Sequence, residues 1–587
     1  MSNDTRQSAK IEAIANQKVQ IMPEGFAYGE SGLIYTDPHN ENANPIPVSD
    51  KLDITARTRD RNGENWGTVL EFKDKENRFK RWVMPDELLE DERAYRRALR
   101  RMGFGMRSSQ RAKNLLSQYI QECKVTQIHV CVDRLGWYEG CYILPNQTIG
   151  RTEAQTVLYQ TDRPNLLNFS AMGTLEEWRD NVARFAVNNS RIAFAISAAF
   201  TAPLLSKLGI EGGGFHYRGE SSKGKTISLY AAGSVWGSHE RKKTWRATSN
   251  GLEMTAYTHN DSLLLLDEMG EMNPKEIGNT VYMLSNGQAK QRHNDSEAPK
   301  TWRLLFLSTG EVDLKSVISE GGNTTRAGQE VRLVDIEAIV GEHGVFETLL
   351  NGFSDSGLQA ETLQANTGKY YGAVGQEYLK HLTDDLTQAL DTFRILKDEF
   401  IKEAVPKGAN SQVIRVLNRF AMVAAGGELA TYYGLTGWGA GESFKAATTC
   451  FNSWLGSLKS ARHSYEEMQA LDQIRGFIER FGESRFAELS RAEDDHAPRT
   501  IDRVGYRYGE SIGGVVEYTY YILPEMFKQE VCKGINFKLA VNTLKKHGHL
   551  KHQADRNTHI TPRNTEVGKR IHCYAVRSTI LDAEEAA

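Results

Sequence analysis

The chain has 587 residues, 40% apolar and 25% charged, with 72 basic against 75 acidic side chains. That length exceeds one ordinary core and predicts roughly three or four domains. A formal net charge of −3 excludes a global pull toward nucleic acid or membrane, so any polyanion-binding surface has to be local. Six scattered cysteines with no C-x-x-C pair exclude a disulfide framework and a zinc ribbon.

In chain order, the polar opening "MSNDTRQSAKIEAIANQ" has no apolar signal-peptide core and reads as a disordered tail over residues 1–20. Residues 21–170 predict a β-rich domain, because "WGTVLEFKD" and "IHVCVDRLGWYEG" alternate and are rich in β-branched and aromatic residues. Between those runs, "DERAYRRALRRMGFGMRSSQRAKNLLSQYIQEC" predicts a helical insertion loaded with arginine. Arg96, Arg97, Arg100, Arg101, Arg107 and Arg111 fall on more than one face there. DNA, a neighbouring subunit and a merely solvated face all fit them.

The apolar run "IAFAISAAFTAPLLSKLGI", residues 192–210, is interrupted by Ser, Thr, Pro and Lys and predicts a buried helix rather than a membrane span. The expected location is therefore cytoplasmic.

Residues 171–345 predict an α/β core. "GESSKGKT", residues 219–226, fits the phosphate-wrapping pattern G-x-x-x-x-G-K-[ST]. Such a loop has to follow a strand and open a helix, so that backbone N–H groups face phosphate. "GGGFHYRG" supplies the strand, although His216 and Arg218 interrupt it, and "KTISLYAAGSVWG" supplies the helix. Gly219, Glu220, Ser221, Ser222, Lys223 and Gly224 would cradle the phosphates of ATP, with Lys225 neutralising them.

Downstream, "SLLLLDEMGE" sets four leucines before Asp267 and Glu268. A continuous apolar run predicts a buried parallel strand, with its acidic end beside the phosphate loop of the neighbouring strand. Asp267 would hold Mg²⁺ together with the Thr226 hydroxyl, and Glu268 would polarise the attacking water.

A third strand, "TWRLLFLSTGE", ends in Ser308 and Thr309, where AAA+-type ATPases place a polar group that senses the γ-phosphate; an ordinary strand-end hydroxyl is the alternative. "GGNTTRAGQEVRLVDIEA" then offers Arg326 in a loop and Arg332 as second residue of a strand. In ring ATPases an arginine near this point reaches the neighbouring subunit's nucleotide. Arg332 has the better position for it.

"GESSKGKTISLYAAGSVWG", "LLLLDEMGE", "NGQAKQRH", "LLFLSTGE", "AGQEVRLVDI" and "RFAMVAAGGELATYYGLTGW" together resemble a family of P-loop proteins from prophages and phage-inducible chromosomal islands. The family is catalogued as a domain of unknown function and described as an inferred helicase of superfamily-two-like or superfamily-three-like type. The likeness covers about residues 25–445, including the "LGWYEG" and "CYILP" strands. It implies an AAA+-like ATPase working in replication of a mobile element, with primase or other replication proteins as partners; it does not fix ring size, and the homo-oligomeric ring expected here is a hexamer.

Two segments offer DNA contacts. "MLSNGQAKQRHNDSEAPKTW" predicts a hairpin turning at Asn286–Gly287, with Lys290, Arg292, His293 and Lys300 gripping a strand; a solvated loop is the alternative. Residues 346–465 predict a helical lid region. Residues 466–587 read as helix, turn, helix and hairpin, a winged-helix-like domain, with "EYTYYILPEMFKQEV" as the first helix. Lys538, Lys545, Lys546, Lys551 and Arg556 would meet phosphates there, although winged helices also dock proteins. His547, His549 and His552 lack partners at ligand spacing for a metal.

The expected fold is thus α/β: a P-loop AAA+-like ATPase core with a β-rich N-terminal domain, a helical segment and a winged-helix-like C-terminal domain. The expected function is a Mg²⁺-dependent, ATP-driven replicative helicase on single- and double-stranded DNA. An ATP-regulated origin initiator and a protein-remodelling or defence ATPase are the alternatives.

Overall fold

The computed structural model describes residues 20–151, 155–164, 169–290, 299–324, 327–458, 465–489, 501–512, 515–553, 556–562 and 571–581. The expected tail, most of residues 1–20, lies outside them. The chain forms two compact units: Met1–Val317 with Arg332–Phe400 and Phe420–Cys450, and Ile318–Val331 with Ile401–Arg419 and Phe451–Ala587.

The first unit is built on two five-stranded sheets. One is mixed, in the order Val157–Tyr159, Ile128–Val132, Leu52–Arg59, Gly67–Lys73, Phe79–Pro85. Leu52, Ile54, Leu70, Trp82 and Met84 point from it into a core shared with the helices Glu92–Arg101 and Gln110–Glu122, which contribute Tyr95, Leu99, Leu116 and Ile120. Both helices start at side-chain caps, Asp91 accepting from Ala94 N and Ser109 from Ala112 N.

The other sheet is wholly parallel, in the order Lys242–Thr244, Leu263–Asp267, Leu305–Gly310, Gly213–Arg218, Leu333–Glu337. Leu263, Leu264, Leu265 and Leu266 are all buried, as a strand covered on both faces requires. The polar residues in Gly213–Arg218 each have a structural answer. His216 Nδ1 meets Ser308 Oγ at 2.9 Å and Nε2 meets Val312 O at 3.0 Å. Burial holds its pKa down to about 4, so the ring stays neutral. Arg218 reaches Asp335 and Glu337 on the edge strand, each at 3.0 Å. Gly214 is needed for space, since a Cβ there would lie 2.4 Å from the Phe306 ring.

Helix Ser190–Thr201 is buried at every position, and at 12 residues it is too short to span a bilayer. No helix among the described residues is long and apolar enough to cross a membrane. The "LGWYEG" and "CYILP" strands, Gly136–Tyr138 and Cys141–Ile143, pack onto the parallel-sheet region. Trp137 Nε1 donates to Pro203 O at 2.6 Å and Tyr142 Oη to Asp261 O at 2.6 Å.

In the second unit, "EYTYYI" is strand rather than helix. Val515–Ile522 pairs antiparallel with Gly505–Ile512, and helix begins only at Pro524, where proline fits the first turn. The sheet order is Phe486–Glu488, Gly505–Ile512, Val515–Ile522, His572–Arg577, Leu550–Lys551. Helix Phe537–Lys546 buries Ala540, Val541 and Leu544 in the core beneath it.

Candidate nucleotide site

The turn between strand Gly213–Arg218 and helix Lys225–Gly233 carries the phosphate-loop motif. Glu220, Ser221, Ser222 and Lys223 are exposed, whereas Gly219 is buried beneath them. Gly224 caps the helix at φ 88° in the left-handed region, where a Cβ would also strike Val345 Cγ2 at 2.7 Å. The loop is braced from outside by Val345 N donating to Lys223 O at 3.0 Å. Lys225 is buried and donates to Gly219 O at 2.8 Å and Glu220 O at 2.6 Å, which fixes its ammonium inside the loop.

Asp267 ends its strand nearly buried, at 4% exposure. The Thr226 hydroxyl lies 3.4 Å from both of its oxygens, and Thr309 donates to its Oδ1. Lys242, on the adjacent edge strand, places its Nζ 2.5 Å from Oδ2. Burial opposes the Lys242 charge, but the hydrogen bond and charge of Asp267 outweigh it, and the lysine pKa is raised. No motif marks Lys242, which is one of three successive cations in "ERKKTW".

The strand order corrects one expectation. The acidic strand does not adjoin the phosphate-loop strand; Leu305–Gly310 lies between them and pairs with both. Thr309 therefore reaches Asp267 from the intervening strand. Ser308, on the alternate face, is taken up by Trp245 Nε1 at 2.8 Å and by His216, so the two hydroxyls have different roles.

Glu268 is exposed and adopts φ 59°, ψ 68°, unusual for a residue with a side chain. Partial loss of water around the carboxylate and the neighbouring Asp267 charge raise its pKa, bringing it nearer to useful base strength.

Arg332 is the last residue of helix Ala327–Arg332, not the second residue of a strand; the strand starts at Leu333. Its guanidinium donates to Asn286 Oδ1 at 3.2 Å and lies over the Tyr282 ring at 4.7 Å. Arg326 lies outside the described residues.

The Asn286–Gly287 pair ends helix Ile277–Asn286, with Gly287 as its left-handed cap, and is not the turn of a hairpin. The hairpin arms follow it: Trp302 N donates to Gly287 O at 2.9 Å, Gln288 pairs with Thr301, and Ala289 N donates to Lys300 O at 2.9 Å. Lys290 and Lys300 stand at this base, Lys300 with its ammonium over Tyr257. Arg292 and His293 lie outside the described residues.

In the second unit, Lys538 and Lys545 are exposed on helix Phe537–Lys546, with Lys545 Nζ 3.1 Å from Asn557. Lys546 pairs with Glu467 at 2.9 Å, Lys551 lies 3.5 Å from Glu510, and Arg556 is exposed. No group of three metal-binding side chains occurs among the described residues.

The donor set fits a magnesium nucleotide. Thr226 and Asp267 present hard oxygens together, and an exposed loop at a helix N-terminus presents N–H groups to phosphate.

Residues 26–303 match the profile of a family described as Domain of unknown function (DUF927). No curated protein matches the chain. Among solved structures it is similar to "SCCmec type IV Cch - active helicase", at 17% identity and a TM-score of 0.65, covering 96% of this chain and 99% of that one. At that identity the likeness shows a shared fold. A Cytophaga hutchinsonii protein provisionally designated an ATPase aligns at 14% identity over 43% of this chain and 79% of its own, with a TM-score of 0.25. NtrX from Brucella abortus in complex with ADP aligns at 12% identity over 42% of this chain and 48% of its own, with a TM-score of 0.17.

Proposed function

We propose that the chain is a cytoplasmic, ATP-driven replicative DNA helicase of a phage-related mobile element, translocating on DNA as a homo-oligomeric ring of six subunits. The observation that carries this reading is the meeting of Lys225, Thr226, Asp267 and Thr309 at one end of a parallel sheet. The full-length fold shared with an active helicase supports it.

Residues 219–224 bind the phosphates and Lys225 neutralises them. Thr226 and Asp267 hold Mg²⁺, which supplies charge neutralisation at the phosphates when bound. Thr309 fixes the Asp267 carboxylate, and Glu268 takes the proton of the attacking water. Arg332 or Arg326 acts across the subunit boundary. Lys290, Arg292, His293 and Lys300 contact the translocated strand. Residues 466–587, with Lys538, Lys545, Lys546, Lys551 and Arg556, recruit duplex, and primase or other replication proteins are the expected partners.

Strand separation on a forked duplex tests the reading. The wild-type chain separates strands with ATP and Mg²⁺, and Lys225→Ala does not. Tight binding to one duplex site without separation would instead favour an origin initiator.

A further inference from the structure

We propose that the arginines of helix Glu92–Arg101, with Arg107 and Arg111 beside it, form a separate contact for a nucleic-acid phosphate backbone. Tyr95 and Leu99 face the core, while Arg93, Arg97, Arg100 and Arg101 are exposed at i, i+4, i+7 and i+8. Those four therefore make one stripe on the face opposite the core, and Arg107 and Arg111 are exposed as well. Arg96 stands off the stripe, half-buried, with Glu92 at 2.7 Å.

Three features set this stripe apart from an ordinary solvated face. Among the described residues, neither the four arginines of the stripe nor Arg107 and Arg111 beside it have a carboxylate within ion-pair range, in a chain that is slightly acidic overall. A solvated helix gains from opposite charges four residues apart, whereas Arg93, Arg97 and Arg101 repel one another at that spacing. Residues 92–111 also hold seven arginines and no lysine, which favours the guanidinium fork that matches phosphate oxygens.

The stripe is also the right length for a strand. Eight residues of helix rise about 12 Å, which spans three or four phosphates at about 3.4 Å of axial spacing per strand. Arg101 continues it into a cleft lined by Lys75, Arg78 and Lys80 together with Asp74 and Glu76. Arg78 is compensated there by Asp74 and Glu76, and Lys80 by Asp74, which leaves Arg101 and Lys75 as the cleft's cations outside those pairs.

This contact rests on the DNA-motor reading. Its test reads binding without ATP, so that failure of the contact and failure of the motor are told apart. The full chain is titrated against a fluorescein-labelled oligothymidine and a labelled duplex over a range of salt concentrations. Wild type is compared with Arg97→Gln/Arg101→Gln and with Arg97→Lys/Arg101→Lys, with folding checked by circular dichroism.

Each phosphate contact contributes about 0.7 to the log–log salt slope on a single strand and about 0.9 on duplex. The glutamine pair should lower the slope by about 1.4 on a single strand or about 1.8 on duplex, and the strand type that shows the drop identifies the ligand. The lysine pair should keep the slope. A folded glutamine pair with the wild-type slope on both ligands overturns the proposal. So does a variant that dissociates the oligomer at unchanged slope, which would make the stripe a subunit contact. A wild-type chain that binds neither ligand fails the motor reading itself.

Discussion

Glu268 holds φ 59° directly after the buried Asp267, and replacing it separates backbone strain from chemistry. A residue with a Cβ in the left-handed region costs about 1–2 kcal/mol, which glycine avoids. Glycine also returns about 0.4–1 kcal/mol to the unfolded chain as entropy. Glu268→Gly should therefore be more stable than Glu268→Gln by roughly 0.5–1 kcal/mol, or about 2 °C in melting temperature.

Both substitutions remove the carboxylate, so both should bind nucleotide and lose hydrolysis by about 10²–10⁴-fold. Differential scanning fluorimetry and a coupled ATPase assay read the two effects on the same samples. A glutamine variant that hydrolyses ATP near the wild-type rate would refute the base assignment. A glycine variant no more stable than the glutamine one would refute the strain.

Other perturbations follow from the same geometry. Thr309→Val takes a donor from the nearly buried Asp267 and should cost about 1–3 kcal/mol of stability and most of the hydrolysis. Ser308→Ala should cost stability through Trp245 and His216 while hydrolysis persists, and kinetics showing the reverse would exchange the two assignments. Asp335 is half-buried, and the water it loses there raises its pKa from 3.8 to about 6 against the pull of Arg218. Its contribution to folding is therefore full below about pH 4 and is lost as pH rises through about 6. Asp335→Asn should match wild type near pH 4 and exceed it by up to about 3 kcal/mol above pH 7, checked by urea melts; a variant less stable at pH 7 would contradict this. Gly287→Ala would set a Cβ 2.1 Å from Trp302 O at φ 75°. It should open the hairpin base and lower DNA-stimulated hydrolysis several-fold, and unchanged stimulation would detach the hairpin from DNA.

The parts of the site legible in the sequence are those encoded by short contiguous chemistry. "GESSKGKT" and "LLLLDE" state a turn and a buried strand end within a few residues, and Lys225, Thr226 and Asp267 do come together. What was missed depends on pairing between distant strands. Nothing local says that Leu305–Gly310 inserts between the two motif strands, or that Lys242 on an edge strand of three residues reaches Asp267.

Three further misreadings concern local sequence. Asn-Gly accepts the left-handed conformation equally in a hairpin turn and at a helix end, and here it ends a helix. The β-branched run "VRLVDI" reads as strand from its first residue, yet Arg332 completes a helical turn before the strand begins. "EYTYYI" has the aromatic and β-branched content of a strand, and its pairing with Gly505–Ile512 follows that content.

The central claim is that ATP hydrolysis at this site is coupled to DNA. It is tested most directly by the hydrolysis rate of the purified chain with and without single-stranded DNA, with Lys225→Ala as the blank. The account predicts strong stimulation by DNA in the wild type and none in the blank. Clear hydrolysis that ignores DNA would contradict it.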